Sequence, residues 1–202
     1  MFYVFPEAVR PEVCDEIIVN CKENVLEQAS IYEYAGTETQ LSAVKETRND
    51  PDIRKTSVNF IKDGDNKANK LAWHFLREAN KREFRYDLKY FQEVQFAEYQ
   101  EGDFFDWHQD GTEPDENNEI RKLSLTLVLS DPDTYEGGEL QFFNGGRPMK
   151  DMGNISGEQV AKDIKAKGSV VVFDSKDWHR VTPVVKGIRH SIVCWTVGDN
   201  FK

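Results

Sequence analysis

The chain has 202 residues and a mass of 23.4 kDa, which fits one domain with a substantial core. Apolar residues make up 39% and charged residues 31%, a globular composition that argues against disorder. The formal net charge of −10 disfavours nucleic acid as the main partner, because a polyanion is repelled. No apolar run approaches the roughly 20 residues of a membrane span, and the N-terminus lacks the pattern of a secretory signal.

The three cysteines, Cys14, Cys21 and Cys194, are odd in number and form no Cys-x-x-Cys pair. This count argues against a disulfide framework and against a cysteine zinc site. It is typical of a reducing compartment, so we expect a cytoplasmic protein.

The first part of the chain predicts two helices between short strands. Apolar residues recur at helical spacing after Pro11, which predicts a helix from residue 11 to about 29. A similar pattern predicts a second helix over 65–81, with Asp65 as its cap. Tyr3–Phe5 and Ser57–Lys62 read as strands, and 30–55 reads as a polar loop.

From about Leu88 the apolar period changes from helical spacing to alternation, which predicts strands. The predicted strands cover 91–99, 104–108, 122–130, 139–143, 169–173, 179–185 and 188–197. Predicted turns lie at Gly137-Gly138, Asn144-Gly145-Gly146 and Lys186-Gly187. Short strands at this spacing predict an antiparallel sandwich or barrel.

His108-Gln109-Asp110 is the first pattern that points to chemistry. Residues at i and i+2 of an extended segment face the same way, so the imidazole and the carboxylate converge. His179 is the natural third ligand, and two His with one Asp form the facial triad of non-haem Fe(II) oxygenases. The alternative is that His108 and His179 are an unrelated surface histidine and core histidine.

Arg189 lies ten residues after His179, beyond the Lys186-Gly187 turn. If the two strands form a hairpin, Arg189 lies near the metal inside the barrel. A buried guanidinium needs an anion, and the distal carboxylate of 2-oxoglutarate would be a bidentate partner. The alternative is an exposed arginine on a hairpin.

Four segments together resemble the prolyl-4-hydroxylase-type Fe(II)/2-oxoglutarate-dependent dioxygenases, in their bacterial and phage branch. The segments are Tyr99-x-x-Gly102-x-x-Phe105-x-x-His108-x-Asp110, then Arg121-x-Leu-Ser-Leu-Thr126, then Gly137-Gly138-Glu139-Leu140, then His179-Arg-Val-Thr-Pro-Val-x-x-Gly187-x-Arg189 with Trp195 beyond it. The resemblance covers about residues 88–197 with order and spacing intact.

The resemblance implies a mainly β fold with flanking helices (α+β), specifically a double-stranded β-helix or jelly roll. The whole chain 1–202 would form one domain, with helical support over about 1–86 and the catalytic jelly roll over about 87–199. His108, Asp110 and His179 would be catalytic metal ligands. The implied cofactors are Fe(II), 2-oxoglutarate and O₂, with ascorbate as an optional addition.

Further roles also follow from the resemblance. Arg189 and Tyr99 would bind the far carboxylate of 2-oxoglutarate, and Thr126 would also contact this cosubstrate. Arg121 and Trp195 would lie near the substrate entrance, with a surface charge and core packing as their respective alternatives. His74 and His190 are not expected to be ligands, since His190 alternates away from Arg189.

The resemblance implies hydroxylation of a C–H bond, with a prolyl residue in a protein or peptide as the leading substrate. Phe105 departs from the family, which often has Tyr there, so a hydroxyl that faces the substrate is missing. The other candidates are a hydroxylase of a free amino acid or small metabolite, and a non-catalytic binding module on the same fold. A nucleobase-repair oxygenase would need an arginine at Trp195, and a halogenase would lack the carboxylate of Asp110.

Two polar segments without apolar anchors, 31–55 and 111–120, are predicted to form a mobile lid over the site. Their acidic residues favour a protein or peptide substrate with a basic flank. These residues are Glu33, Glu38, Glu113, Asp115, Glu116 and Glu119. The sequence does not predict the oligomeric state.

Overall fold

Both predicted helices and a large set of antiparallel strands are found in the computed structural model, which describes residues 2–35, 44–48, 50–61, 66–143 and 164–201. The helices are α1 (Pro11–Lys22) and α2 (Lys67–Ala79), and α2 continues into a π-helical turn over Asn80–Phe84. The described strands of the first half are β1 (Phe2–Phe5), β2 (Glu27–Gln28), β3 (Ile31–Ala35), β4 (Val44–Arg48), β5 (Arg54–Lys55), β6 (Ser57–Ile61), β7 (Tyr90–Phe91) and β8 (Val94–Tyr99). Those of the second half are β9 (Phe104–His108), β10 (Glu119–Val128), β11 (Tyr135–Gly137), β12 (Leu140–Phe143), β13 (Val170–Asp174), β14 (Trp178–Val181), β15 (Val184–Gly187) and β16 (Arg189–Asp199).

Two antiparallel sheets face each other across the core. The large sheet has the order β1-β13-β10-β16-β8-β6-β2, with β7 also paired to β16, and the small sheet has the order β12-β14-β9-β5. Phe142 of the small sheet packs edge-on against Phe173 of the large sheet, with ring centroids 5.0 Å apart. The smaller pairs β11–β15 and β3–β4 complete the described strands. This arrangement confirms the predicted jelly roll with flanking helices, and strands from before residue 86 join both sheets.

Side chains on the central strands of the large sheet point alternately to the helices on one face and to the interior of the jelly roll on the other. On β10, Leu123, Leu125 and Leu127 join the cluster that packs against the helices. Ser124 and Thr126 alternate with them and face the space between the two sheets. The apolar run that predicted a central strand therefore also places polar groups inside the jelly roll.

Helix α2 covers the outer face of the large sheet with a stripe of small and large apolar residues. Asn66 caps the helix, because its side chain accepts a hydrogen bond from the backbone N–H of Asn69 at 2.9 Å. Phe75 and Leu76 are buried in the helix–sheet core, and each contributes about 1.5–3 kcal/mol by this burial. Within the described residues, no helix combines the length and apolar composition needed to cross a membrane.

Helix α1 is shorter than predicted. It buries Cys14, Ile17 and Cys21 and ends at Lys22, whereas the sequence predicted a helix to about residue 29. Val25 is 82% exposed, so its side chain makes no apolar contact that would hold a further helical turn. The chain instead forms β2, whose backbone pairs with that of β6.

The segment predicted as a polar loop over 30–55 contains strands. β3 and β4 pair with each other, and β5 pairs with β9 of the small sheet. Backbone pairing needs no apolar side chains, which is why the polar composition hid these strands. Residues 36–43 and 49 lie outside the described residues, as do the predicted cap Asp65 and the predicted turn Asn144-Gly145-Gly146.

The predicted hairpin between His179 and Arg189 is wrong. β14, which carries His179, belongs to the small sheet, and β16, which begins at Arg189, belongs to the large sheet. β15 intervenes and pairs with β11. The two residues therefore approach the interior from opposite sheets rather than from adjacent strands.

Candidate active site

His108, Asp110 and His179 converge between the two sheets. His108 is the last residue of β9 and pairs directly with His179 of the neighbouring strand β14. One ligand atom from each of the three residues lies within 4.8 Å of the others. His108 Nε2 is 3.7 Å from Asp110 Oδ1, and His179 Nε2 is 3.4 Å from Asp110 Oδ2. The three side chains are thus preorganised around one point.

Backbone carbonyls fix the orientation of both imidazoles. His108 Nδ1 lies 2.8 Å from the carbonyl oxygen of Asp106, and His179 Nδ1 lies 2.9 Å from that of Asp177. A carbonyl only accepts, so both Nδ1 atoms carry the proton and donate. Both Nε2 lone pairs therefore face the shared point, which is the arrangement that second-sphere contacts impose on metal-binding histidines.

A pair of serines holds the carboxylate of Asp110. Ser124 Oγ donates to Asp110 Oδ2 at 2.7 Å, and Ser124 and Ser175 share a hydrogen bond of 2.9 Å. The backbone N–H groups of Asp110 and Gly111 both donate to the Ser175 carbonyl. A Cβ at Gly111 would lie 2.5 Å from the Arg121 carbonyl oxygen, so only glycine fits at this close approach.

The protonation states of His108 and Asp110 match those of metal ligands. Burial and the charge of His179 lower the pKa of His108 to about 3, so its imidazole is neutral. Burial raises the pKa of the Asp110 carboxyl, but its interactions with His179, including a hydrogen bond, and with His108 and Arg121 outweigh burial and hold that pKa well below its usual range. The site thus offers two imidazoles and one carboxylate anion.

Arg189 lies deep in the jelly roll beside Tyr99. It is 2% exposed, pairs in register with Tyr99, and places its guanidinium 5.2 Å from the centroid of the Tyr99 ring. Its Nη1 donates to Ser191 Oγ at 3.1 Å. Within the described part of the chain, no carboxylate forms an ion pair with Arg189. Tyr135 also forms a side-chain hydrogen bond with Arg189, so the contacts of this buried cation among the described residues are to neutral groups.

A small cavity lies against Arg189, and Gly138 keeps it open. The cavity is lined by Val128, Tyr135, Gly138, Glu139, Leu140, Ile164, Lys165 and Arg189. A Cβ at Gly138 would lie 2.8 Å from Arg189 Cδ. Thr126 lies on β10 between Ser124, which contacts Asp110, and Val128, which lines the cavity, and all three residues share one face of the strand. The face of β10 that carries Thr126 therefore runs from the metal-ligand cluster to the Arg189 cavity.

Arg121 and Trp195 lie side by side on adjacent strands. The guanidinium of Arg121 is 4.0 Å from the Trp195 ring centroid, and its Nε donates to Gln92 Oε1 at 2.8 Å. Trp195 pairs in register with Ser124, so this pair lies next to the residue that holds Asp110.

The other two histidines lie away from the cluster, as predicted. His74 is exposed on α2. His190 faces the opposite side of β16, where its Nε2 lies 3.0 Å from Glu98 Oε2 and its Nδ1 lies 3.2 Å from Ser130 Oγ.

Arg54 is the residue at the site that the sequence reasoning missed. It lies on β5, is 9% exposed, and places its guanidinium 4.5 Å from the Phe105 ring centroid. Phe105 in turn stacks on His108 with centroids 3.5 Å apart. The only signal in the sequence was its place just before the alternating segment that forms β6.

The acidic segment 112–118 forms an ordered turn. Asp115 Oδ1 accepts from the backbone N–H groups of Asn117 and Glu119, and Asn200 donates through its backbone N–H to the carbonyl of Asn118. Glu119 is paired with Lys89. Of the acidic residues predicted to attract a basic flank, Glu113 and Glu116 are exposed and free to do so. Glu38 lies outside the described residues, and the side chain of Glu33 is not described.

Comparisons with known proteins agree with this site. A family model of the 2OG-Fe(II) oxygenase superfamily matches residues 94–197, the segment that runs from β8 to β16. A PKHD-type hydroxylase of Teredinibacter turnerae is 32% identical over 176 residues, which are 84% of this chain and 68% of that protein. A PKHD-type hydroxylase of Synechococcus sp. strain CC9605 is 37% identical over 94 residues, which are 46% of this chain and 36% of that protein.

The chain spans about two fifths of the length of several curated relatives that it matches. Among solved structures, a Pseudomonas putida prolyl-4-hydroxylase is similar with a TM-score of 0.65 at 20% identity, over 100% of this chain and 93% of that one. This likeness shows a shared fold. The matched family uses Fe(II), 2-oxoglutarate and O₂, and its relatives are named as hydroxylases. The chain therefore belongs to the 2OG-Fe(II) oxygenase superfamily.

Proposed function

We propose that this chain is an Fe(II)- and 2-oxoglutarate-dependent dioxygenase that hydroxylates a C–H bond of a prolyl residue in a protein or peptide. The observation that carries the proposal is the convergence of His108, Asp110 and His179, whose ligand atoms lie within 4.8 Å of one another. Family membership supports the same chemistry.

The residues of the cluster fit Fe(II). Two imidazoles and one carboxylate are the donor set of the facial triad, and they leave positions open for a cosubstrate and O₂. The backbone carbonyls behind His108 and His179 and the hydroxyl of Ser124 on Asp110 supply the supporting contacts that such ligands require. We assign His108, Asp110 and His179 as the metal ligands.

Arg189, Tyr99 and Thr126 are assigned to 2-oxoglutarate. The buried guanidinium of Arg189 would bind the distal carboxylate through paired charge-assisted hydrogen bonds, and the Tyr99 hydroxyl would add another. Thr126 lies on the face that connects the metal cluster with the Arg189 cavity. An unpaired cation at this depth is costly, and a dicarboxylate would remove the cost.

Arg121 and Trp195 are assigned to the prime substrate. The prolyl substrate rests on the hydroxylase names of the relatives and on the prolyl-4-hydroxylase among the structural neighbours. A basic flank on the peptide would meet the exposed carboxylates of Glu113 and Glu116. This attraction is long-range and weakens with salt.

The chain's own residues would bind the metal and the cosubstrate, orient them, and exclude water from the site. Bound Fe(II) and 2-oxoglutarate would supply the oxidising chemistry, in which O₂ is consumed, 2-oxoglutarate becomes succinate and CO₂, and one oxygen atom enters the substrate. Asp110 offsets part of the metal charge. Phe142 and Phe173, which pack against His179, keep that side of the site dry.

The test is turnover of 2-oxoglutarate to succinate with and without candidate prolyl peptides, followed by mass spectrometry for a product with one added oxygen atom. Asp110→Ala is expected to abolish turnover and tight Fe(II) binding, whereas Asp133→Ala, on an exposed turn, leaves both unchanged. A non-catalytic binding module would bind peptide without forming succinate. Wild-type turnover in the Asp110→Ala variant would overturn the metal assignment.

A further inference from the structure

A second buried cation faces the candidate site from the small sheet. Arg54 donates from Nη2 to Gln95 Oε1 at 2.9 Å and from Nη1 to the carbonyl of Ser30 at 3.4 Å, both of which are neutral acceptors. Its Nε is buried and has no hydrogen-bond partner. Within the described residues, no carboxylate forms an ion pair with it.

Arg54 belongs to the same electrostatic environment as the metal cluster. Its guanidinium lies on one face of the Phe105 ring, and the His108 imidazole lies on the other. Burial lowers the pKa of Arg54, and the charges of Tyr99 and Asp110 partly reverse that shift. The guanidinium keeps its proton in a protein, so a full positive charge is present here.

The charges of the proposed holoenzyme balance without Arg54. The two positive charges of Fe(II) and the one of Arg189 equal the charges of Asp110 and of the two carboxylates of 2-oxoglutarate. Glu139 and Lys165, which line the Arg189 cavity, offset each other. Arg121 is partly exposed, so solvent screens its charge.

The other deeply buried carboxylates in the described ranges are already paired elsewhere. Glu98 bonds to Lys22 and His190, and Asp103 bonds to Lys55. Among the side chains that the structure describes, Arg54 is thus a buried positive charge near the metal cluster without a carboxylate partner. An uncompensated buried charge is costly unless a ligand neutralises it.

We propose that Arg54 is a specificity-determining residue that binds a carboxylate of the prime substrate. The inference rests on the proposed function and refines its substrate class to one that carries an acidic group near the hydroxylated carbon. Phe105, which lacks a hydroxyl, lies between Arg54 and His108 and therefore sets the spacing between this subsite and the metal cluster. The carboxylate could belong to a free or N-acylated amino acid, or to an acidic residue next to the hydroxylated one in a peptide.

The test measures binding without turnover, so that activity is not the readout. The protein is loaded with Mn(II) and 2-oxoglutarate under anaerobic conditions, and calorimetry follows three sets of matched probes. The sets are free amino acids against their amides, N-acetyl amino acids against their amides, and acetyl-Pro-Glu-amide against acetyl-Pro-Gln-amide. At least one acid is expected to bind about tenfold or more tightly than its neutral partner, the scale of a charge-assisted hydrogen bond.

Variants assign that preference to Arg54. Arg54→Gln is expected to bring the acid-to-amide ratio close to one, and Arg54→Lys is expected to retain part of it. The matched control is Arg77→Gln, because Arg77 also holds its guanidinium over a phenylalanine ring, 4.7 Å from Phe91, but on helix α2. This control is expected to keep the wild-type ratio.

Each outcome decides the inference. A preference confined to amino acids identifies a small substrate, and one confined to the glutamyl peptide identifies a peptide. If wild type binds 2-oxoglutarate but no acid above its amide, or if Arg54→Gln keeps the preference, the role of Arg54 is wrong while the proposed function stands. If wild type does not bind 2-oxoglutarate, the proposed function fails, and this inference fails with it.

Discussion

Arg189 is the residue on which the cosubstrate assignment depends most directly. We expect Arg189→Ala to raise the Michaelis constant for 2-oxoglutarate by about 10²–10³, because one side of a buried charge pair is removed. Arg189→Lys should recover part of this loss, since a point charge cannot reproduce the bidentate fork. The measurement is succinate formation as a function of 2-oxoglutarate at saturating prime substrate. An Arg189→Ala enzyme with normal dependence would place the anchor elsewhere.

Tyr99→Phe tests the neighbouring contact. Tyr99→Phe should also raise the Michaelis constant for 2-oxoglutarate, but less than Arg189→Ala does. The expected rise corresponds to the ~1 kcal/mol of one hydrogen bond. The matched control is Tyr90→Phe, because Tyr90 is 43% exposed on β7, which pairs with β16 beyond the site. A defect of equal size in both variants would argue against a specific role for Tyr99.

Gly138 offers an indirect test of the same anchor. In Gly138→Ala the new methyl group would lie 2.8 Å from Arg189 Cδ, so we expect it to displace the guanidinium and raise the Michaelis constant for 2-oxoglutarate several-fold. Gly138 has a φ of +60°, so the variant also carries backbone strain. Gly102→Ala is the control, because Gly102 has a φ of +83° and meets only Lys55 Nζ at 3.9 Å. Equal effects on 2-oxoglutarate would attribute the defect to strain alone.

At the scale of residues, sequence spacing predicted the site contacts between residues that are close together in the chain. His108 and Asp110 lie two apart at the end of a strand, so their convergence follows from backbone geometry. Arg54 could not be predicted in this way, because its position depends on the pairing of β5 with β9, some fifty residues away. The same limit applies to the placement of Arg189 relative to His179, because the two residues lie on different sheets.

At the scale of elements, alternation identified the strands that carry apolar side chains, such as β9 and β10. It failed at β4 and β5, where mostly polar residues are held by backbone pairing, and at β3, whose apolar and aromatic residues lie within a largely polar segment. It also overextended α1, since helical spacing continues to Val25 although the fold provides no surface for that residue to contact. Both errors arise because tertiary contacts, rather than local pattern, decide where these elements end.

The pairing of β8 with β16 has a buried polar contact on its outer side, and this contact predicts a pH dependence of stability. Glu98 of β8 faces His190 of β16 and Lys22 of α1. Burial lowers the pKa of His190, with further lowering by Lys22 and Arg189 and partial reversal by Glu98. The unfolded chain therefore takes up a proton at a higher pH than the folded chain.

We expect the metal-free protein to lose stability as the pH falls below about 6.5, the unfolded pKa of histidine. The loss from His190 is at most ~1.4 kcal/mol per pH unit until its folded pKa is reached. Urea unfolding at several pH values measures the slope, which should be smaller in His190→Gln. His74→Gln is the control, because His74 is exposed on α2. A slope unchanged by His190→Gln would contradict the shift.

At the scale of the whole molecule, the core and the candidate site occupy opposite faces of the large sheet. Leu123 and Leu125 point toward the helices, and Ser124 between them points toward Asp110. The helix–sheet core can therefore hold the sheet in shape without supplying any group to the cluster. This separation predicts that stability and ligand binding respond to different substitutions.

Leu76→Ala tests whether the helix–sheet core governs stability without affecting ligand binding. Leu76 is fully buried in α2, so we expect a loss of about 2–5 kcal/mol in the free energy of unfolding, with the affinity of the folded protein for 2-oxoglutarate unchanged. The control is Val19→Ala on α1, which is 60% exposed and should change stability by less than about 0.5 kcal/mol.

Asp110→Ala tests whether the candidate site governs metal binding without affecting stability. Asp110 lies outside the helix–sheet core, so its removal should leave the metal-free protein folded while abolishing tight Fe(II) binding. Chemical unfolding and metal titration on the two variants measure both properties. The division predicts opposite results, with Leu76→Ala losing stability and keeping the metal, and Asp110→Ala keeping stability and losing the metal. If Asp110→Ala unfolded the metal-free chain, the cluster would be part of what holds the two sheets together, and the core and the site would not be independent.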